Sequence, residues 1–298
     1  MRYLVSGANG FVGSSVFNKL LSKGETCFGV VREKSELTRI NPVFEKNIIK
    51  TTEKDWANTI YDTKPQIVVI CDWDGVSAED SENKTKQISN LQRWEAITSA
   101  AVKVKVKRII ALGSQAELNE NQDGVLSNAP FNPRSEYGSA KVLAYNKLRK
   151  LTRDTSTQLV WARVFSLYGT GADKKWFIPH VASTLKRNQD LFLTKCEQEW
   201  NFLDVEDLAE ALIRISNTES DYPFFNIAHP ETVILKDVVE YLKRITLSRS
   251  EVMYGHLNYP SRQVMKMRPD LTEILSTGWI PEGNLHTFLD TLGASAND

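Results

Sequence analysis

Net charge is missing from this chain. Among its 298 residues, Lys and Arg total 37, and so do Asp and Glu. No global field therefore draws it toward nucleic acid or an anionic membrane surface. Cysteine is scarce as well: Cys27, Cys71 and Cys196 are odd in number and widely spaced. They fit neither a disulfide framework nor a metal cluster, and they point to a reducing compartment. The histidines, His180, His229, His256 and His286, show no metal-ligand spacing. Long apolar runs are absent too; stretches such as Ile67 to Cys71 fall far short of the ~20 residues of a membrane helix. A strand-like segment starts almost at Met1 and reaches glycine by Gly7, which leaves no room for a secretory leader. A cytoplasmic protein is expected, without nucleic-acid or membrane partners.

What is present is a core and a rhythm. A hydrophobic content of 41% suits one large α/β domain carrying a smaller lobe. Strand-like segments at 3–6, 26–31, 47–49, 66–71, 108–112 and 158–163 alternate with helical ones, notably 14–23, 82–102 and 135–155. That alternation predicts a doubly wound parallel sheet covered on both faces. Past Tyr168 the rhythm breaks at a polar, glycine-containing loop. The expected division is a dinucleotide-binding domain over 1–168 with 200–231 returning to it, and a substrate lobe over 169–199 and 232–298.

Between the first strand and first helix stands Ser6-Gly7-Ala8-Asn9-Gly10-Phe11-Val12-Gly13. Glycines there let the backbone turn sharply and approach a pyrophosphate, and the helix N-terminus supplies N–H groups and dipole. Gly7, Asn9, Gly10, Phe11, Val12 and Gly13 are the candidate cradle. At the end of the second strand, an acid would bind a ribose 2′-hydroxyl and a base a 2′-phosphate. The chain reads Arg32-Glu33-Lys34-Ser35. Arg32 with Ser35 can clasp the phosphate of NADP; alternatively Arg32 is a surface base and Glu33 serves NAD. NADP is favoured, because arginine offers a planar fork.

Tyr137-Gly138-Ser139-Ala140-Lys141 opens a long helical segment. Positions four apart share a helix face, so phenol and ammonium point into one cleft, where the ammonium is expected to make the phenol more acidic. Upstream, the fifth strand ends in Gly113-Ser114-Gln115-Ala116-Glu117.

The Gly-x-x-Gly-x-x-Gly loop, Ser114 and the Tyr-x-x-x-Lys pair resemble the short-chain dehydrogenase/reductase superfamily, a Rossmann-type fold. Gly10-Phe-Val-Gly13 is similar to its extended branch of nucleotide-sugar epimerases, dehydratases and reductases. The resemblance implies that Ser114 orients the substrate oxygen, Tyr137 transfers the proton and Lys141 holds the nicotinamide ribose. Asn90 falls where a water-linked relay asparagine stands in many members, or else is a surface helical residue. Cys71 and Asp72 would line the cofactor. Trp73, with Gly75-Val76 and the Gly-Ser-Gln-Ala-Glu stretch, resembles 4-keto-6-deoxyhexose reductases such as the CDP-abequose synthase group, and would face substrate beside Gln115; simple packing is the other reading for Trp73.

Superfamily dehydratases use an Asp-Glu pair directly after the Ser/Thr, whereas Gln115 and Ala116 follow Ser114, so elimination is disfavoured. Ser166 replaces an asparagine that contacts the sugar nucleotide, and Trp200 replaces an arginine used against its diphosphate. Arg262, Lys174 or Lys175 are the substitute bases, and Trp176 and Trp200 can stack on a base or sugar. The expected activity is NADPH-dependent reduction of a 4-keto nucleotide sugar. An NAD-retaining 4-epimerase and a non-catalytic NADP-binding regulator are the alternatives. A homodimer is expected through helices 82–102 and 135–155, where Leu91, Trp94, Ile97, Val142, Leu143 and Leu148 looked surplus to one sheet face.

Overall fold

The computed structural model describes residues 1–77, 80–118, 122–219, 222–260 and 263–294. Seven strands form the main sheet: β1 (Arg2–Ser6), β2 (Thr26–Arg32), β3 (Ile48–Thr51), β4 (Ile67–Ile70), β5 (Arg108–Ser114), β6 (Gln158–Val164) and β7 (Phe224–Ile227). Their order is β7-β6-β5-β4-β1-β2-β3, and every pair is parallel. Central strands such as β4 read as unbroken apolar runs because both faces are covered. The fold is a Rossmann-type α/β sheet. The direction of winding reverses between β1 and β4, which opens a crevice at the carboxyl ends of those strands.

Each face has its own core. On one side α1 (Phe11–Ser22) packs against α6 (Val205–Asn217), burying Val16, Phe17, Leu208 and Leu212. On the other lie α2 (Trp56–Thr63), α3 (Lys84–Lys103) and α4 (Glu136–Thr152), joined by Trp56, Trp94, Leu148 and Trp161. Local chemistry sets where these helices start. The Asn83 side chain accepts from Lys86 N at 3.1 Å before α3, and Ser135 accepts from Gly138 N at 3.0 Å before α4.

A third core unites α5 (Phe177–Lys186), α7 (Leu235–Ile245) and α8 (Leu285–Ala294) in the smaller lobe. The packing differs from the expected division in two places: Tyr168, Trp200 and Phe202, expected in the dinucleotide-binding domain, pack in this smaller-lobe core, and a later segment returns to the sheet. Met267, Leu271, Ile274 and Trp279 bury in the large-lobe core, and the strand Met267–Pro269 pairs with Gln122–Val125. The segment 267–279 therefore belongs with the sheet, although 232–298 was expected to stay in the small lobe. The α2 helix and β7 strand are further elements that periodicity did not resolve.

The residues expected to be surplus on α3 and α4 are mostly not surplus. Leu91, Trp94, Ile97 and Leu148 are buried within the chain itself, while Ile88 and Leu143 face outward, 54% and 47% exposed. Among the described residues no helix is long and apolar enough to cross a membrane.

Candidate active site

The crevice begins at Gly7, whose φ of +66° is a left-handed conformation that favours glycine. Gly7 N donates to Val30 O at 2.9 Å, and Gly10 N donates to Gly7 O at 2.9 Å. A Cβ on Gly13 would lie 2.2 Å from Gly7 O, so the first turn of α1 can press on this loop only without a side chain. Gly10 is the N-cap of α1, no side chain caps it, and the first turn carries no acid. A twelve-residue helix thus aims its dipole and leading N–H groups over a bare backbone cradle. That arrangement fits the pyrophosphate of a dinucleotide.

Around the cradle, Arg39 Nε donates to Gly171 O at 3.0 Å and its Nη1 reaches Asn9 O at 3.5 Å. The Phe11 ring meets Trp176 edge-on, centroids 5.1 Å apart. Trp176 therefore seats beside the cradle, half-buried. At the end of β2, Arg32 Nη1 lies 3.2 Å from Asp74 Oδ2 and 3.6 Å from Glu53 Oε1. Ser35 N donates to Arg32 O at 2.9 Å, which turns Ser35 back toward that arginine.

Asp72 turns inward. Its carboxylate accepts from Ser6 Oγ and Arg93 Nε, and its carbonyl accepts from Trp94 Nε1 at 2.8 Å. Burial raises its pKa, against the pull of Arg93. The Cys71 thiol is pushed up by burial and then by Asp72, leaving it inert. Asn90 is wholly buried. It brackets the loop after β4, accepting from Asp74 N at 3.1 Å and donating to Asp74 O at 2.8 Å, and it also accepts from Arg93 Nη2 at 2.7 Å. It is thus not a surface residue.

Ser114 ends β5, and Tyr137 and Lys141 project from the first turns of α4. The Ser114 hydroxyl faces the Tyr137 phenol closely enough to favour its ionised form. Lys141 Nζ donates to Leu112 O at 2.8 Å and lies 3.9 Å from the Trp73 ring centroid and 4.3 Å from that of Trp94. Trp73 is anchored by Nε1 donating to Gln87 Oε1 at 2.8 Å, and its ring sits 6.2 Å from that of Tyr137. The expectation that the ammonium would acidify the phenol is corrected here. Desolvation pushes Tyr137 up to about 12, opposed by Ser114 and reinforced by Glu117. Burial draws Lys141 down to about 7, against Glu117, Asp72 and Cys71.

Residues 3–228 match the NAD dependent epimerase/dehydratase family. The chain belongs to that family. It is an enzyme of the extended short-chain dehydrogenase/reductase type. It is 21% identical over 288 residues to a CDP-abequose synthase of Salmonella muenchen, covering 94% of this chain and 93% of that one. To a dTDP-6-deoxy-L-talose 4-dehydrogenase (NAD(+)) of Aggregatibacter actinomycetemcomitans it is 22% identical, covering 80% and 88%. Among solved structures, a UDP-glucose 4-epimerase of Thermotoga maritima with UDP-glucose superimposes with a TM-score of 0.87 at 20% identity, covering 98% and 97%. A Thermus thermophilus UDP-glucose 4-epimerase complex with NAD gives 0.83 at 14%, covering 98% of each chain.

Beside the trio of this family member lies a cavity of about 280 Å³. Its wall carries apolar side chains, Leu118, Trp200, Pro260, Val264 and Met267, and polar ones, among them Gln115, Ser135 and Glu199. Of the expected substrate residues, Gln115 and Trp200 line it. Ser166 instead accepts from Leu203 N through its carbonyl at 2.9 Å, and Arg262 lies outside the described residues. Arg134 and Asn201 also line the cavity, and sequence reasoning missed both. Arg134 lies three residues before Tyr137, and that proximity was the available signal.

Glu117 is the other missed residue. Its side chain is fully buried, and so is that of Arg163, 3.2 Å away. The carboxylate accepts from Ser114 N at 2.6 Å and from Trp161 Nε1 at 3.0 Å. It holds the main chain of Ser114, and its lone pairs are committed to these donors rather than to a departing hydroxyl. Glu117→Gln would leave the Arg163 guanidinium buried beside a neutral group. A loss of about 3–5 kcal/mol is expected, read as a lower midpoint in urea denaturation; an unchanged midpoint contradicts this role.

Proposed function

We propose that this enzyme reduces the 4-keto group of a 4-keto-6-deoxy nucleotide sugar at the expense of NADPH, with Tyr137 as proton donor. The observation that carries the reading is the convergence of Ser114 at the end of β5 with Tyr137 and Lys141 on the first turns of α4, where burial pushes the Tyr137 phenol up to about 12. A phenol in that state is protonated throughout the neutral range and suits delivery of a proton to a developing alkoxide. Ser114 steadies the same oxygen. Lys141 lies one helical turn on and is proposed to hold the nicotinamide ribose. NADPH, when bound in the crevice, supplies the reducing equivalent.

Three further features support this choice. The cavity that begins at Gln115, next to Ser114, offers both apolar side chains and polar ones, a lining that suits a partly deoxygenated sugar. The engagement of Glu117 with Arg163 disfavours elimination. CDP-abequose synthase, a name belonging to a relative at 21% identity, fits reduction of such a ketone. The likeness to UDP-glucose 4-epimerases favours a second reading, an NAD-retaining 4-epimerase. Arg32 at the end of β2 favours an exchanging NADPH over a retained NAD, and with it net reduction.

The free thiols Cys27, Cys71 and Cys196 suit a reducing compartment, and the cytoplasm is the proposed location. A homodimer is proposed through the outward faces of α3 and α4, where Ile88 and Leu143 are exposed.

A panel of CDP-, dTDP-, UDP- and GDP-linked 4-keto-6-deoxyhexoses, followed by NADPH absorbance, tests the activity. Tyr137→Phe should lower turnover by roughly 10²–10⁴-fold while NADPH affinity survives; near-normal turnover would refute the assignment. Arg32→Asp should shift preference toward NADH, costing roughly 1.5–3 kcal/mol of NADPH binding; equal affinity for both cofactors in the unaltered protein contradicts the NADPH reading. Light scattering at micromolar concentration should return a dimer mass, and a monomer mass would dismiss the pairing.

A further inference from the structure

An ion pair crosses the crevice at the carboxyl ends of the strands. Ser6 on β1 pairs with Val30 on β2 and with Ile70 on β4. Two residues past Val30 stands Arg32, and four past Ile70 stands Asp74. The Arg32–Asp74 contact of 3.2 Å therefore runs from β2 over the end of β1 to the loop after β4. It spans the point where the winding reverses, which is where open parallel sheets bind dinucleotides. Glu53, just past β3, approaches the same guanidinium nitrogen at 3.6 Å.

One arginine thus faces two carboxylates on the side that a ribose 2′-substituent would reach. Asp74 is not there to hold its loop. Asn90 clamps the backbone of Asp74 through both its N–H and its carbonyl, and that clamp is independent of the carboxylate. Glu53 has other work as well, since Arg93 Nη1 donates to it at 3.0 Å. Asp74 Oδ2 also lies closer to Arg32 than Glu53 does.

We infer that Asp74 sets the cofactor preference of this enzyme by competing with a ribose 2′-phosphate for Arg32. A monophosphate carries a charge of about −1.5 to −2 near neutral pH. It is repelled by Asp74 and must share or displace that carboxylate's arginine. A ribose bearing only a 2′-hydroxyl meets no such repulsion, and either partner of the ion pair can hydrogen-bond to it. The consequence is a cofactor site less selective for NADPH than Arg32 alone would make it. This rests on the proposal that Arg32 receives the 2′-phosphate, and it adds the residue that restrains it.

The test is a direct binding measurement that needs no sugar substrate. Dissociation constants for NADPH and NADH are obtained from the fluorescence of the reduced nicotinamide, on the unaltered chain, Asp74→Asn and Asp74→Glu. Asp74→Asn should raise the NADPH-to-NADH affinity ratio by about 3- to 10-fold, the effect of removing one partly exposed charge facing a multiply charged group. Asp74→Glu, which keeps the charge, should leave the ratio within about twofold of the unaltered chain, because an exposed pair responds weakly to a shift in its geometry. A parallel change in both affinities, or a fall in the ratio for Asp74→Asn, overturns the inference. The preference of the unaltered chain tests the NADPH reading separately. A chain that prefers NADH, yet whose ratio rises in Asp74→Asn, refutes that reading and upholds this one, whereas binding of neither dinucleotide by any of the three proteins overturns both.

Discussion

A carboxylate sealed from water stands at the centre of this molecule. Glu117 and Arg163 are both fully buried, and neither would be tolerable alone. Their partners come from elements far apart in the chain. Trp161 and Arg163 share one side of β6 because strand side chains alternate. Arg163 Nη1 donates to Ser127 O at 2.8 Å and reaches Asn226 Oδ1 on β7 at 3.3 Å. Asn226 Nδ2 in turn donates to Val125 O at 2.8 Å and Asp270 O at 3.1 Å. One polar network thus joins the end of β5, two further strands and the returning segment 267–279. A buried pair of this kind contributes little net stability. What it does is fix the main chain of Ser114, and through it the spot at which the Tyr137 phenol is met.

Enclosure reverses the simple electrostatic picture of the tyrosine–lysine pair. In water an ammonium near a phenol favours phenolate. Here both groups lose hydration, and each is driven toward its neutral form, Tyr137 up to about 12 and Lys141 down to about 7. The rings of Trp73 and Trp94 and the carbonyl of Leu112 return part of what the lysine loses. Trp73 thereby acquires a definite task. Its indole lies against the Lys141 side-chain nitrogen and is tied to Gln87, so the loop after β4 and helix α4 are coupled through one aromatic ring.

The same loop carries the other half of the chemistry. Asp72 and Asp74, two residues apart, turn opposite ways, one into the protein toward Ser6 and Arg93, the other outward to Arg32. Asn90 holds the backbone of Asp74 between them. The loop carries two carboxylates, and through Trp73 it meets the helix that bears Lys141.

Much of this was legible in the sequence. Apolar runs of strand length, alternating with amphipathic helices, determine a parallel sheet because hydrophobic periodicity is local. The glycine spacing determines the cradle, since a Cβ at Gly13 would strike Gly7 O, and Tyr137 and Lys141 share a face through helix geometry alone. Three things were decided only by tertiary structure. The partner of Glu117 lies 46 residues away, and no local pattern announces an ion pair across strands. The segment 267–279 rejoins the sheet because its apolar side chains fill a core formed by the rest of the chain. The protonation of the active site depends on how much protein surrounds each group, and burial is a property of the fold, not of spacing along the chain.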